Sequence, residues 1–94
     1  MEEHELYLMA LEKFGTKRQL YKLAEECSEL IQAIIKYNDH DHEVKPDWDL
    51  TENLLLELAD VEIMMHQINN DFSWLSFKEK KLRRLEKLLE KSCK

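Results

Sequence analysis

Two short acidic clusters carry the chemistry this chain can do. Glu25, Glu26 and Glu29 form EExxE within KLAEECSEL, and Glu57 and Asp60 form ExxD within LLELADVEIMM, with residues 30–56 between them. Carboxylates three residues apart share a helix face, one turn from each other. Like charges that close oppose each other's ionisation. Such pairs are relieved when they hold a cation. A set of oxygen donors alone suits Mg²⁺ or Mn²⁺ rather than zinc or copper. A di-iron bundle would want Glu-x-x-His pairs, whereas here Glu62 and His66 are four apart. Carboxylate-held Mg²⁺ commonly carries phosphates.

The elements that position these acids read as four helices. Residues 2–13 place Leu6, Met9 and Ala10 at helical spacing, and Gly15 stops that helix. Thr16 with Gln19 reads as a capping box for a second helix running to about Tyr37. Residues 38–48 lack periodicity and contain the only proline, Pro46, so they form the main loop. Asp49 with Glu52 opens a third helix, from about Leu50 to Ile68, closed by Asn69, Asn70 and Asp71. Ser76 with Glu79, or Ser73, caps a fourth that carries Leu82, Leu85, Leu88 and Leu89. The expected fold is an all-α, four-helix bundle-like protomer in one domain, residues 1–94.

Helix three is unusual in where its acids fall. At 100° per residue, with Glu57 at zero, Val61 and Leu54 lie at about 40° and 60°, and Asp60 at about 300°. Glu62 and His66 lie near 140° and 180°. The acids therefore point away from the polar side, and the helix is expected to be buried on most faces. An ionised carboxylate there is costly unless paired or bound to metal. On helix two, Glu26 borders an apolar face of Leu20, Leu23, Cys27, Leu30, Ile31, Ile34 and Tyr37, and Glu29 lies just outside it. Gln19 and Lys22 share the stripe of Glu26. An acidic shoulder balanced by Lys22 and Lys36 is the structural alternative.

Composition narrows the remaining classes. The chain has 94 residues, one Gly, one Pro and two Cys. That excludes glycine-rich phosphate loops, a disulfide framework and a four-cysteine zinc site. No apolar run approaches a membrane span and no signal segment opens the chain, so the expectation is a soluble, reduced, cytoplasmic protein without membrane partners. The net charge is −6: residues 77–94 hold eight Lys/Arg against three Glu, and residues 1–76 hold six Lys/Arg against seventeen Asp/Glu. Only the last helix is basic, so nucleic acid is not the expected partner. An acidic body and a basic arm suit a cation in the body and an anionic ligand at the arm.

The two motifs, in this order and on separate helices, resemble the all-α nucleoside triphosphate pyrophosphohydrolases, the MazG-like enzymes, and ELADVEIMMHQI is similar to their small phage and prophage members. The resemblance covers roughly residues 15–90 and implies Mg²⁺-dependent hydrolysis of a (d)NTP to the monophosphate and pyrophosphate. It implies metal ligation by Glu26, Glu29, Glu57 and Asp60, and water activation by Glu25 or Glu29. Gln19 and Lys22 would line the substrate pocket. Lys81 and Arg84 would reach phosphates, with Leu82 standing where relatives carry Asn. A homodimer or homotetramer holding nucleotide between subunits is also implied. The rival reading is a non-catalytic helical interaction module whose acid cluster is structural. Smaller features have plainer readings: His40, Asp41 and His42 as a solvated loop, Trp48, Trp74 and Phe77 as anchors at the bundle ends, and Cys27 as core.

Overall fold

Gly15 makes the first corner of the chain. Its φ of 82° and ψ of 157° lie in a region open essentially to glycine alone. Its N–H caps the preceding helix by donating to the carbonyl of Leu11 at 2.8 Å. The computed structural model describes residues 1–92, so Cys93 lies outside the described residues. In chain order the helices are α1 (Glu3–Phe14), α2 (Thr16–Asn38), α3 (Trp48–Ile68) and α4 (Leu75–Ser92). No helix among the described residues is long and apolar enough to cross a membrane.

The caps expected at Thr16 and Asp49 are not formed. Thr16 does not cap α2; its hydroxyl donates to the Asp71 carboxylate, tying the start of α2 to the end of α3. Gln19 instead donates from Nε2 to the carbonyl of Ala10 at 3.1 Å, which pins α1 onto α2. The third helix starts two residues earlier than expected, because Asp47 rather than Asp49 is the N-cap and accepts from the Leu50 N–H at 3.0 Å. The loop ahead of it closes on itself. Asp41 accepts from the N–H groups of Glu43 and Val44, and His42 stacks on Tyr37 at 4.0 Å while bonding its carbonyl.

The main packing is between α2 and α3, and it follows a heptad. In α2 the most covered positions include Gln19, Leu23, Glu26, Leu30, Ala33 and Tyr37; in α3 they include Leu50, Leu54, Glu57, Val61, Met64 and Ile68. Alternating steps of four and three residues are those of a coiled-coil seam. The Thr16–Asp71 bond sets the start of α2 against the end of α3, so the two helices run antiparallel. The shorter α1 lies across them, with Leu11 buried and Tyr7 stacked on His66 at 5.6 Å.

The fourth helix departs from the expected bundle. Among the described residues it packs against none of α1–α3 and contributes no buried side chain. The buried apolar core is correspondingly small: Leu11, Ala33, Met64 and Ile68. The radius of gyration is 17.1 Å, where a compact chain of this length would have about 12 Å. The third helix is covered along one stripe only. Leu55, Leu56, Leu58 and Ile63 are exposed, which corrects the expectation that it is buried on most faces. Trp48 and Phe77 are exposed too and anchor nothing within the chain, whereas Trp74 is half-buried beside His66.

Candidate metal centre

The seam places two acids where a coiled coil puts leucine or valine. Glu26 sits between Leu23 and Leu30 on α2, and Glu57 between Leu54 and Val61 on α3. Each is held by the hydrophobic residues one turn before and after it, so the carboxylates meet across the helix pair. Asp60 joins them from the next turn of α3, and one carboxylate oxygen from each of the three lies within 4.8 Å of the others. Glu26 is 8% exposed, Glu57 is half-buried and Asp60 is exposed at the rim.

The polar balance of this cluster is incomplete. Lys22 Nζ lies 3.2 Å from Glu26 Oε1 and 3.5 Å from Glu25 Oε1. Oε2 of Glu26 and Oε2 of Glu57 are buried and meet no donor among the described residues. A buried acceptor left in that state costs about 1–3 kcal/mol, more when charged. A bound cation would satisfy both at once. All the donors are carboxylate oxygens, which fits a hard divalent ion such as Mg²⁺ or Mn²⁺.

Glu29 falls outside the three-acid cluster but within its field. Its carboxyl is held above the usual glutamate range, first by the charge of Glu26, then by burial and by Glu57. Its side chain is otherwise open to solvent. Glu25 is exposed and engaged with Lys22.

The expected substrate residues divide. Gln19 and Lys22 line a cleft of about 540 Å³ together with Glu25, whereas Glu26, Glu29, Glu57 and Asp60 are not among its lining residues; the volume is within the usual range for small-molecule sites. Both are partly committed already: the Gln19 amide to Ala10, the Lys22 ammonium to two glutamates. Lys81 and Arg84 are not brought to the cleft. They stand on α4, which packs against no other helix of its own chain among the described residues.

The same cleft is lined by residues that sequence reasoning missed, notably Phe14, Arg18, Tyr21 and Gln67. Arg18 lies 5.0 Å over the ring of Phe14. The signal was present in part, because Arg18, Lys22 and Glu25 follow one another at helical spacing on α2. The His40–Asp41–His42 loop is structural: both imidazoles bond backbone carbonyls, those of Lys45 and Tyr37.

No protein-family model matches the chain, and no curated protein or solved structure matches it significantly.

Proposed function

We propose that this protein is a Mg²⁺-dependent nucleotide pyrophosphohydrolase of the MazG-like type, converting a (d)NTP to the monophosphate and pyrophosphate. One observation carries the reading: two glutamates occupy the apolar seam of α2 and α3, each with a buried oxygen that meets no donor among the described residues. A protein under selection for stability alone gains by placing leucines there. The resemblance of EExxE and ExxD to that enzyme class supplies the reaction.

Glu26, Glu57 and Asp60 would hold the ion, with Glu29 at the edge of the set. When bound, Mg²⁺ offsets triphosphate charge, polarises the scissile phosphorus and eases deprotonation of water. The chain's own contribution is positional. The cleft receives the nucleotide, with Arg18 and Lys22 supplying positive charge and Phe14 and Tyr21 supplying flat apolar surface. Glu29 takes the proton of the attacking water. Of the two candidates Glu29 is the one not engaged by Lys22, so its carboxylate is available to accept that proton. Glu25, tied to Lys22, holds that lysine against the cleft.

The second reading, a structural acid cluster in an interaction module, is favoured by the Lys22–Glu26 pair. Magnesium titration monitored by calorimetry, followed by product analysis over the common nucleotides and dUTP, separates the two. The enzyme binds Mg²⁺ in the millimolar range or tighter and releases pyrophosphate. Release of inorganic phosphate and a diphosphate overturns the proposed reaction. Absence of both binding and turnover favours the module.

A further inference from the structure

Lys22 bridges the acid cluster and the cleft. Its ammonium lies 3.2 Å from Glu26 Oε1 and 3.5 Å from Glu25 Oε1. The two glutamates belong to different surroundings. Glu26 is one of the three clustered acids, whereas Glu25 lines the cleft together with Lys22 itself. Of the residues that line the cleft, Lys22 is the one ion-paired to the cluster among the described residues.

The two ends of that pair differ in freedom. Glu26 is seated in the seam between Leu23 and Leu30, with its side chain 10% exposed. The Lys22 side chain is 49% exposed and carries its charge on a flexible four-carbon stem with three donors. Half-exposed ion pairs of this kind hold weakly. The pair is also incomplete, because Lys22 reaches Oε1 of Glu26 while Oε2, like Oε2 of Glu57, stays buried without a donor among the described residues. A single ammonium is thus set against the carboxylates of Glu26, Glu57 and Asp60. Once Glu26 is engaged by a divalent ion, the ammonium faces a like charge on the cluster side. Its second acid partner, Glu25, lies on the cleft side.

We infer that Lys22 is a two-position cation: it holds Glu26 while the cluster is free of metal, and turns to the cleft on Glu25 when a divalent ion takes Glu26. The switch rests on the metal assignment above and adds a coupling to it. In the second position Lys22 joins Arg18 in the cleft, beside the rings of Phe14 and Tyr21. An ion at the cluster therefore tightens an anion in the cleft, and by linkage the anion tightens the ion by the same factor.

The test uses Mg²⁺ and phenyl phosphate, which has a flat ring and a phosphate but no anhydride to hydrolyse. The side-chain ammonium signal of Lys22 is followed by NMR in ¹⁵N-lysine protein, assigned by its absence from Lys22→Arg, which keeps the charge. Saturating Mg²⁺ shifts that signal and phenyl phosphate shifts it again; a Lys22 signal that saturating Mg²⁺ leaves in place overturns the proposal. In calorimetry Lys22→Met binds Mg²⁺ about fivefold more tightly than the wild type, the low end of coupling between sites because the lysine is half exposed. Equal or weaker binding by Lys22→Met overturns the switch while leaving the metal assignment standing. Mg²⁺ tightens phenyl phosphate less in Lys22→Met than in the wild type, since only the direct pull of the ion remains; equal tightening overturns the coupling. Failure of both chains to bind Mg²⁺ defeats the metal assignment and the switch together. A responsive Lys22 without nucleotide turnover upholds the switch and defeats the pyrophosphohydrolase reading alone.

Discussion

Replacing Glu57 by leucine is expected to strengthen the fold while removing its response to magnesium. Glu57 is half-buried between Leu54 and Val61 in the seam, and its Oε2 has no donor among the described residues. Removing that orphaned oxygen returns about 1–3 kcal/mol. A leucine fully buried at such a site contributes about 1.5–3 kcal/mol, and half of that, about 1 kcal/mol, is appropriate here. The Lys22–Glu26 pair is untouched. The sum is about 2–4 kcal/mol in the absence of metal, and it ignores the further relief of charge repulsion. With a urea slope of about 1 kcal/mol/M, the midpoint rises by about 2 M or more. The measurement is urea unfolding followed by circular dichroism, with chelator, at one fixed protein concentration. A parallel series holds free Mg²⁺ at one hundred times its dissociation constant, where the wild-type chain gains about 2.7 kcal/mol. Glu57→Leu gains much less, because only Glu26 and Asp60 remain of the three clustered acids. A lower midpoint for the variant in chelator refutes the reasoning, since it means that Glu57 is paired with a cation of the protein itself. An undiminished magnesium response refutes the assignment of Glu57 to the metal.

Asp60→Asn, at the exposed rim, is expected to abolish turnover and weaken Mg²⁺ binding while leaving helicity unchanged, as read by pyrophosphate release, calorimetry and circular dichroism. Glu29→Gln is expected to lower the rate by about 10²–10⁴-fold while shifting the magnesium constant little; a large shift in that constant instead makes Glu29 a ligand. Gly15→Ala meets no atom within 4 Å but forces alanine into a glycine-only backbone region, and thermal unfolding should show a loss of about 1–3 kcal/mol. In chelator, stability contributed through Glu29 rises as the pH falls. Its folded pKa is raised, so the penalty is full at neutral pH and lifts as the pH drops through that value. As the pH falls, the melting temperature of the wild-type chain should therefore rise relative to that of Glu29→Gln.

Element order and most helix boundaries were legible because Gly15, Pro46 and the Asn69–Asp71 run interrupt strong helical periodicity. The approach of Glu26 to Glu57 and Asp60 was legible as well, since acids at seam positions of two neighbouring helices have few other places to go, whereas the expected fourth ligand, Glu29, falls outside the cluster. The helical wheel of α2 merged two stripes into one broad apolar face with Glu26 at its border. That helix carries two overlapping apolar stripes, one through Leu23 and Leu30 and one through Leu20, Ile31 and Ile34, and hydrophobicity alone favours the second. Counting heptads from Gln19 to Tyr37 and from Leu50 to Ile68 would have put both glutamates at the centre of the seam. The Thr16 cap failed because a tertiary bond to Asp71 outcompeted a local one. The position of α4 was not legible, since its leucines look the same whichever surface they cover.

The antiparallel pairing of α2 and α3 also has a consequence in time. The connecting residues 39–47 form a short loop that bonds to itself through Asp41 and His42, and loops of that size close in about 10–100 ns. Contacts next to this loop are local in sequence, which favours their early formation during folding. If the hairpin is formed in the transition state, Glu26 and Glu57 approach each other there and their repulsion is felt at the barrier. Relief of it, by a divalent cation or by Glu57→Leu, should accelerate refolding more than it slows unfolding, because interactions formed in the transition state act on the folding limb.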